Sequence, residues 1–155
     1  MKLYIKQKVF SFTDRFIVKD ENGEDKYFVE GEMFSMGHKL HIYDKSENEV
    51  GYIRQKLFTL MPEFEVIVNG VVIGDLIKKF TFINQNYYLD GTNLELTGDF
   101  WAHEYALYKD EYAVMTVSKE WFTWGDSYVL NIADDVDEIL CLVIVLAVDC
   151  AMCTG

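Results

Sequence analysis

The chain contains one proline, Pro62, three cysteines, and no uninterrupted apolar run longer than the ten residues ILCLVIVLAV at 139–148. Each shortage excludes something. A helix needs roughly 20 apolar residues to cross a bilayer, and this run is bounded by Asp134, Asp135, Asp137 and Glu138 before it and Asp149 after it, which argues against a transmembrane span. The opening MKLYIKQKVF holds too short an apolar stretch for a signal peptide. Cys141, Cys150 and Cys153 are odd in number and crowded at the C-terminal end, a poor disulfide framework that points to a reduced, cytoplasmic compartment. Lys and Arg number 14 against 26 acids, and the resulting net charge of −12 argues against nucleic acid and against nonspecific attraction to anionic membranes. Glycine loops for phosphates or dinucleotides, the GxSxG elbow and HExxH are all missing, so no catalytic residue, metal or cofactor is expected.

What is present is apolar and aromatic. Half of the residues are hydrophobic and 15% are aromatic, which excludes disorder, and 155 residues are enough for one domain, 1–155, with one sizeable core. Before Asp134 the chain alternates in period two and is rich in Tyr, Phe, Val and Ile. Turn clusters at 20–25, 44–49, 69–70 and 90–93 break it up, with Asn69-Gly70 the strongest hairpin signal. About twelve strands are predicted within 2–132: 2–10, 15–19, 27–34, 39–43, 50–58, 64–68, 71–80, 87–89, 94–98, 104–109, 112–119 and 127–132. The terminal run is expected to be a helix over about 136–151, capped by Asp135 with Glu138 reaching back from three residues on. It is apolar on every side, so protein must enclose it.

The sequence also echoes itself. YIKQKVFSFTDRFIV at 4–18 returns as YIRQKLFTLMPEFEV at 52–66, and two halves align with Phe10 on Phe80, Gly31-Glu32 on Gly98-Asp99, and Ile42-Tyr43 on Leu107-Tyr108. A duplicated six-strand unit is the expectation. Twelve antiparallel strands escape the exposed-edge problem by closing into a barrel. About eight strands already give an interior that side chains fill, so twelve leave a lumen that must hold something. The all-apolar helix, about 10 Å across, is the expected plug.

The run SKEWFTWGDSYVLNI at 118–132, the upstream Gly98-Asp99-Phe100, and the apolar helix ending Ala147-Val148-Asp149-Cys150 resemble the LURP-one-related family of tubby-like proteins, over essentially the whole chain. The resemblance implies a twelve-stranded barrel around a central C-terminal helix, as in the tubby C-terminal domain and phospholipid scramblases. It implies little about activity. Tubby proper binds phosphoinositides, and plant relatives are associated with pathogen defence, but no lipid-contacting position transfers to a residue here.

Most chemistry-bearing residues have plainer readings. His38 and His41 are three apart on a strand, hence on opposite faces, and read as surface histidines. Cys150-Ala-Met-Cys153 has no second pair to complete a zinc site. DKSENE at 44–49 lacks the glycine and the terminal acid of a calcium loop, and reads as a hairpin turn. The acids at 134–138 read as helix capping, and Trp121, Phe122 and Trp124 as core.

Charge distribution alone hints at function. The windows 1–13, 52–62 and 76–89 contain no acid and carry Lys2 together with Lys6, Lys8, Arg54, Lys56, Lys78 and Lys79, the last six an expected anion-binding patch. Lys6 with Lys8, and Arg54 with Lys56, share strand faces. The expectation is a noncatalytic binding or scaffold module for an anionic lipid headgroup such as a phosphoinositide, or for a protein partner, cytoplasmic and peripheral to the membrane. The alternative is a small enzyme with a site built from loops.

Overall fold

The computed structural model describes residues 1–6, 15–32, 36–80, 85–122 and 125–154. Twelve antiparallel strands close into one barrel, each paired with its neighbours in sequence and β1 (Lys2–Lys6) closing on β12 (Gly125–Ile132). The others are β2 (Arg15–Lys19), β3 (Asp25–Gly31), β4 (Lys39–Tyr43), β5 (Glu49–Gln55), β6 (Phe64–Val68), β7 (Val71–Phe80), β8 (Gln85–Asp90), β9 (Leu94–Asp99), β10 (Glu104–Lys109) and β11 (Tyr112–Phe122). The closing register runs from Lys2 opposite Asn131 to Lys6 opposite Ser127. No strand edge is left open there, which answers the edge problem as expected.

Period-two alternation decides which side chains fill the barrel. Leu3 and Ile5 of β1, Leu40 and Ile42 of β4, Phe64 and Val66 of β6, and Leu94 and Leu96 of β9 point inward and are buried. Outward positions carry charge, as in the Arg54–Glu65 and His41–Glu49 pairs. An apolar inside and a charged outside is the reverse of a barrel that faces lipid. No described helix is long and apolar enough to cross a membrane.

The odd-numbered strands run toward one end of the barrel, which we call the upper rim, and the even-numbered strands return. The helix α1 (Glu138–Thr154) enters from the lower end and runs up the axis against β5, β6, β7 and β12. Its lower end is fixed by Glu138, which accepts from Tyr27 Oη and pairs with Lys26 Nζ at 2.8 Å. Every residue from Cys141 to Val148 is fully buried. Gly51 makes room for it: a Cβ there would lie 2.5 Å from Val143 Cγ2.

Two expectations shift. The helix starts two residues later than expected and ends three residues later, and its cap is Asp137 rather than Asp135. Asp137 Oδ1 accepts from the amides of Ile139 (2.9 Å) and Leu140 (3.4 Å). Glu138 is drawn away to Tyr27 and Lys26, so the expected reciprocal box does not form. The strands expected at 27–34 and 50–58 end sooner, at Gly31 and Gln55. The ladder irregularities at Ile42/Tyr43 and Leu107/Tyr108 fall on positions that the internal alignment pairs. The expected core aromatics Trp121, Phe122 and Trp124 lie outside the residues whose side chains are described.

Candidate functional site

The connections at the two ends of the barrel differ in charge. Those at the upper rim contain, in sequence, only Asp14, Glu32 and Glu63 as acids. The lower ones hold Asp20, Glu21, Glu24, Asp44, Glu47, Asp110, Glu111, Asp134, Asp135 and Asp137. Turn chemistry explains part of the contrast. Asp20 and Asp44 accept from backbone amides inside their own tight turns, Asp44 from Ser46 and Asn48 at 2.9 and 3.0 Å. Those hydrogen bonds hold both carboxyls below the usual carboxylate range.

At the upper rim an open groove of about 540 Å³ lies over β4, β5 and the segment that follows, lined by Met36, Lys39, Arg54, Gln55, Lys56, Leu57, Thr59 and Glu63. Register builds it. Lys39 stands opposite Arg54, Arg54 opposite Glu65, and Glu65 opposite Asp75, all on the outer face. Arg54 Nη2 donates to Glu65 Oε1 at 2.6 Å, Lys56 Nζ to Asp75 Oδ2 at 2.7 Å, and Lys39 Nζ lies 4.0 Å from Glu32 Oε1. The hydrogen bond to Asp75, then its charge, holds the Lys56 ammonium above its ordinary value. Three cations on one groove can take a phosphate through the donors that their carboxylates leave over.

The six expected anion-binding residues do not form one patch. All five described ones lie toward the upper ends of rising strands, but at different places around the barrel. Arg54 and Lys56 share the groove. Lys6 sits exposed on β1, four strands away, so the two YI[KR]QK repeats do not converge. Lys8 lies outside the described residues. Lys79, two strands from β5, faces outward 3.8 Å from Glu95. Lys78 stands opposite Tyr87 on the inward-facing register of β7. Lys39 was missed, although counting outward from the 44–49 turn pairs it with Arg54. The strand expected over 50–58 extends past the observed end of β5 at Gln55, so alternation gives no sign that Leu57 and Phe58 are exposed.

A second polar cluster closes the upper mouth. Asp149 of α1 accepts from Tyr128 Oη, and His103 Nε2 lies 3.7 Å from its other oxygen. The His103 ring stacks on Tyr128 at 4.3 Å and 14°. Burial, then the Asp149 charge, pushes the phenols of Tyr128 and Tyr105 well up. The arrangement ties the helix end to β12. No group of acids, His and Cys suited to a metal occurs among the described residues.

His41 is the expected surface histidine. It stacks on Tyr52 at 4.7 Å, and Glu49 and Glu32 lie 2.6 and 3.1 Å from its two ring nitrogens. Burial works against its charge, but the two carboxylates outweigh burial and raise its pKa. The three cysteines are free.

Comparison with known proteins matches this architecture. An uncharacterized protein of Bacillus subtilis (strain 168), YxjI, is 38% identical over 149 residues, 96% of this chain and 92% of that protein. The X-ray structure of an Arabidopsis thaliana protein superposes with a TM-score of 0.66 at 14% identity, over 96% of this chain and 89% of that one, so the fold is shared. The LURP-one-related family description matches residues 1–149. With a closed tubby-like barrel around its C-terminal helix and that match over nearly its whole length, the chain belongs to the LURP-one-related family.

Proposed function

We propose that this protein is a noncatalytic binding module whose upper-rim groove holds an anionic, phosphate-bearing headgroup between Lys39, Arg54 and Lys56. The observation that carries the reading is the convergence of these three cations on one open groove. Arg54 makes only one hydrogen bond to Glu65 and keeps further guanidinium donors in the planar fork that suits phosphate. The cationic ends of these pairs face solvent while Glu65 and Asp75 lie mostly buried beneath them, so a phosphate is taken by the donors that the carboxylates leave over and not by exchange with them. Headgroup affinity should be modest and should fall with salt, since exposed charges are screened over about 8 Å at physiological ionic strength. On this reading the protein works inside the cell at a membrane surface. The enzyme alternative would draw on the buried His103, Asp149 and Tyr128, whose contacts across the upper mouth support a structural reading of the same cluster.

The test is titration of the protein with soluble inositol trisphosphate at low salt, followed by amide chemical shifts. Changes should centre on Lys39, Arg54 and Lys56. Arg54→Gln with Lys56→Gln should weaken binding by about tenfold or more, in protein that keeps a cooperative thermal transition. Wild-type protein that ignores inositol trisphosphate even at low salt would overturn the reading.

A further inference from the structure

Beside the groove the chain exposes apolar side chains that the fold gives no reason to expose. Phe58 is 98% and Leu60 104% exposed, Leu57 43%, and Met36 across the groove 72%. Single exposed apolar residues are ordinary on a protein surface, but a contiguous group rimmed by charge marks an interaction surface. The backbone holds this one in place. The Lys56 amide donates to Glu63 O at 2.9 Å, closing the base of the connection between β5 and β6, and Thr59 Oγ1 donates to Met61 O at 2.6 Å near its tip. Phe58 itself has φ +62°, a conformation bulky residues rarely take.

We infer that the protein docks on an anionic phospholipid bilayer by its upper rim, with Leu57, Phe58 and Leu60 entering the acyl boundary while Lys39, Arg54 and Lys56 stay among the headgroups. The inference rests on the proposed headgroup reading and adds the bilayer as the partner. Apolar tips beside the exposed cationic ends of Arg54 and Lys56, whose carboxylate partners lie deeper, are an arrangement that suits interfacial anchoring: buried apolar area supplies one part of the affinity and attraction of those cations to anionic lipid the other. Trp101, 73% exposed on the connection between β9 and β10, lies on the same rim and is the residue type that favours the membrane interface.

The acids of the lower connections do not oppose this orientation. The acid-rich connections lie at the lower end, separated from the upper rim by the length of α1, about 25 Å for its 17 residues at 1.5 Å each. That is about three screening lengths at physiological ionic strength. A bilayer at the upper rim meets the exposed cationic ends of Arg54 and Lys56, with Asp99 and Glu104 on the far side of the rim, and hardly senses the acids of the lower connections.

The experiment is flotation with vesicles of phosphatidylcholine alone and with added phosphatidylserine or phosphatidylinositol bisphosphate, using the full chain and the variant Phe58→Ser with Leu60→Ser. Wild type should float with anionic vesicles and not with neutral ones. The variant's partitioning should fall about tenfold or more, while its inositol trisphosphate binding stays as in wild type. Tryptophan introduced as Phe58→Trp should be quenched by brominated acyl chains beyond the wild-type background. Equal flotation of wild type and variant, or no added quenching, would overturn bilayer insertion and leave the headgroup reading standing. Loss of inositol trisphosphate binding in wild type would sink both. A concentration-dependent wild-type dimer that the variant dissociates, without flotation, would assign the surface to a second copy of the chain and overturn the inference.

Discussion

Gly51 shows how tightly single residues decide this fold. It faces the lumen on β5, where an added Cβ would sit 2.5 Å from Val143 Cγ2 and 3.1 Å from Ile42 Cδ1. A packed interior cannot absorb that overlap, and overpacking costs typically about 1–3 kcal/mol. Gly51→Ala should therefore lower stability by that amount in chemical denaturation. Val143→Ala alone removes two buried methyl groups, on the order of 2 kcal/mol, yet it also vacates the space that the new Cβ needs. Combined, the two should cost less than their sum by at least about 0.5 kcal/mol. Strict additivity would mean that the helix and β5 do not meet as described. No sequence signal marked this glycine, because close approach between an axial helix and a wall strand is a product of closure, not of local pattern.

Among the elements, what could be read in advance follows from periodicity and turn chemistry. The strands β2, β4, β6, β7 and β10 fall where alternation and flanking turns put them. The helix was legible from ten apolar residues between acids, but its cap was not, because Glu138 belongs to Tyr27 and Lys26, which only the closed barrel brings near. The basic patch was half legible for a related reason. Repeat identity assigns Lys6 and Arg54 the same face of a strand but says nothing of azimuth, and β1 and β5 stand four strands apart. The helix itself is testable. Val145 is fully buried on the axis. An unpaired carboxylate there costs several kcal/mol, a large share of the roughly 5–15 kcal/mol that hold a domain together. Val145→Asp should give no cooperative thermal transition, and a chain ending at Asp134 should be unfolded by circular dichroism. Cooperative melting of that shortened chain would show that the barrel stands without its axis.

At the scale of the whole molecule, one consequence of enclosing an axial helix is that many ionisable groups are held neutral. Burial pushes the Cys141 thiol up to about 12 and the Cys150 thiol well up. Burial likewise raises the phenols of Tyr27, Tyr87, Tyr105 and Tyr128, with Glu138 adding to the effect on Tyr27 and Asp149 to that on Tyr105 and Tyr128. These pKa values are raised in the fold, so the unfolded chain loses its protons first. Stability is then complete below the unfolded values, near pH 8.5 for Cys and 10 for Tyr, and is lost as pH climbs from there through the folded values. Each such group contributes a slope of up to about 1.4 kcal/mol per pH unit within its window. The urea midpoint should hold steady to about pH 8.5, fall gently while only thiols are involved, and fall steeply above about pH 10, where four phenols act together. Phenolate absorbance of these tyrosines should appear only with unfolding. A midpoint that stays level well above pH 10, or phenolate that forms in the folded protein at ordinary tyrosine values, would mean that water reaches the axis and that the barrel does not enclose its helix.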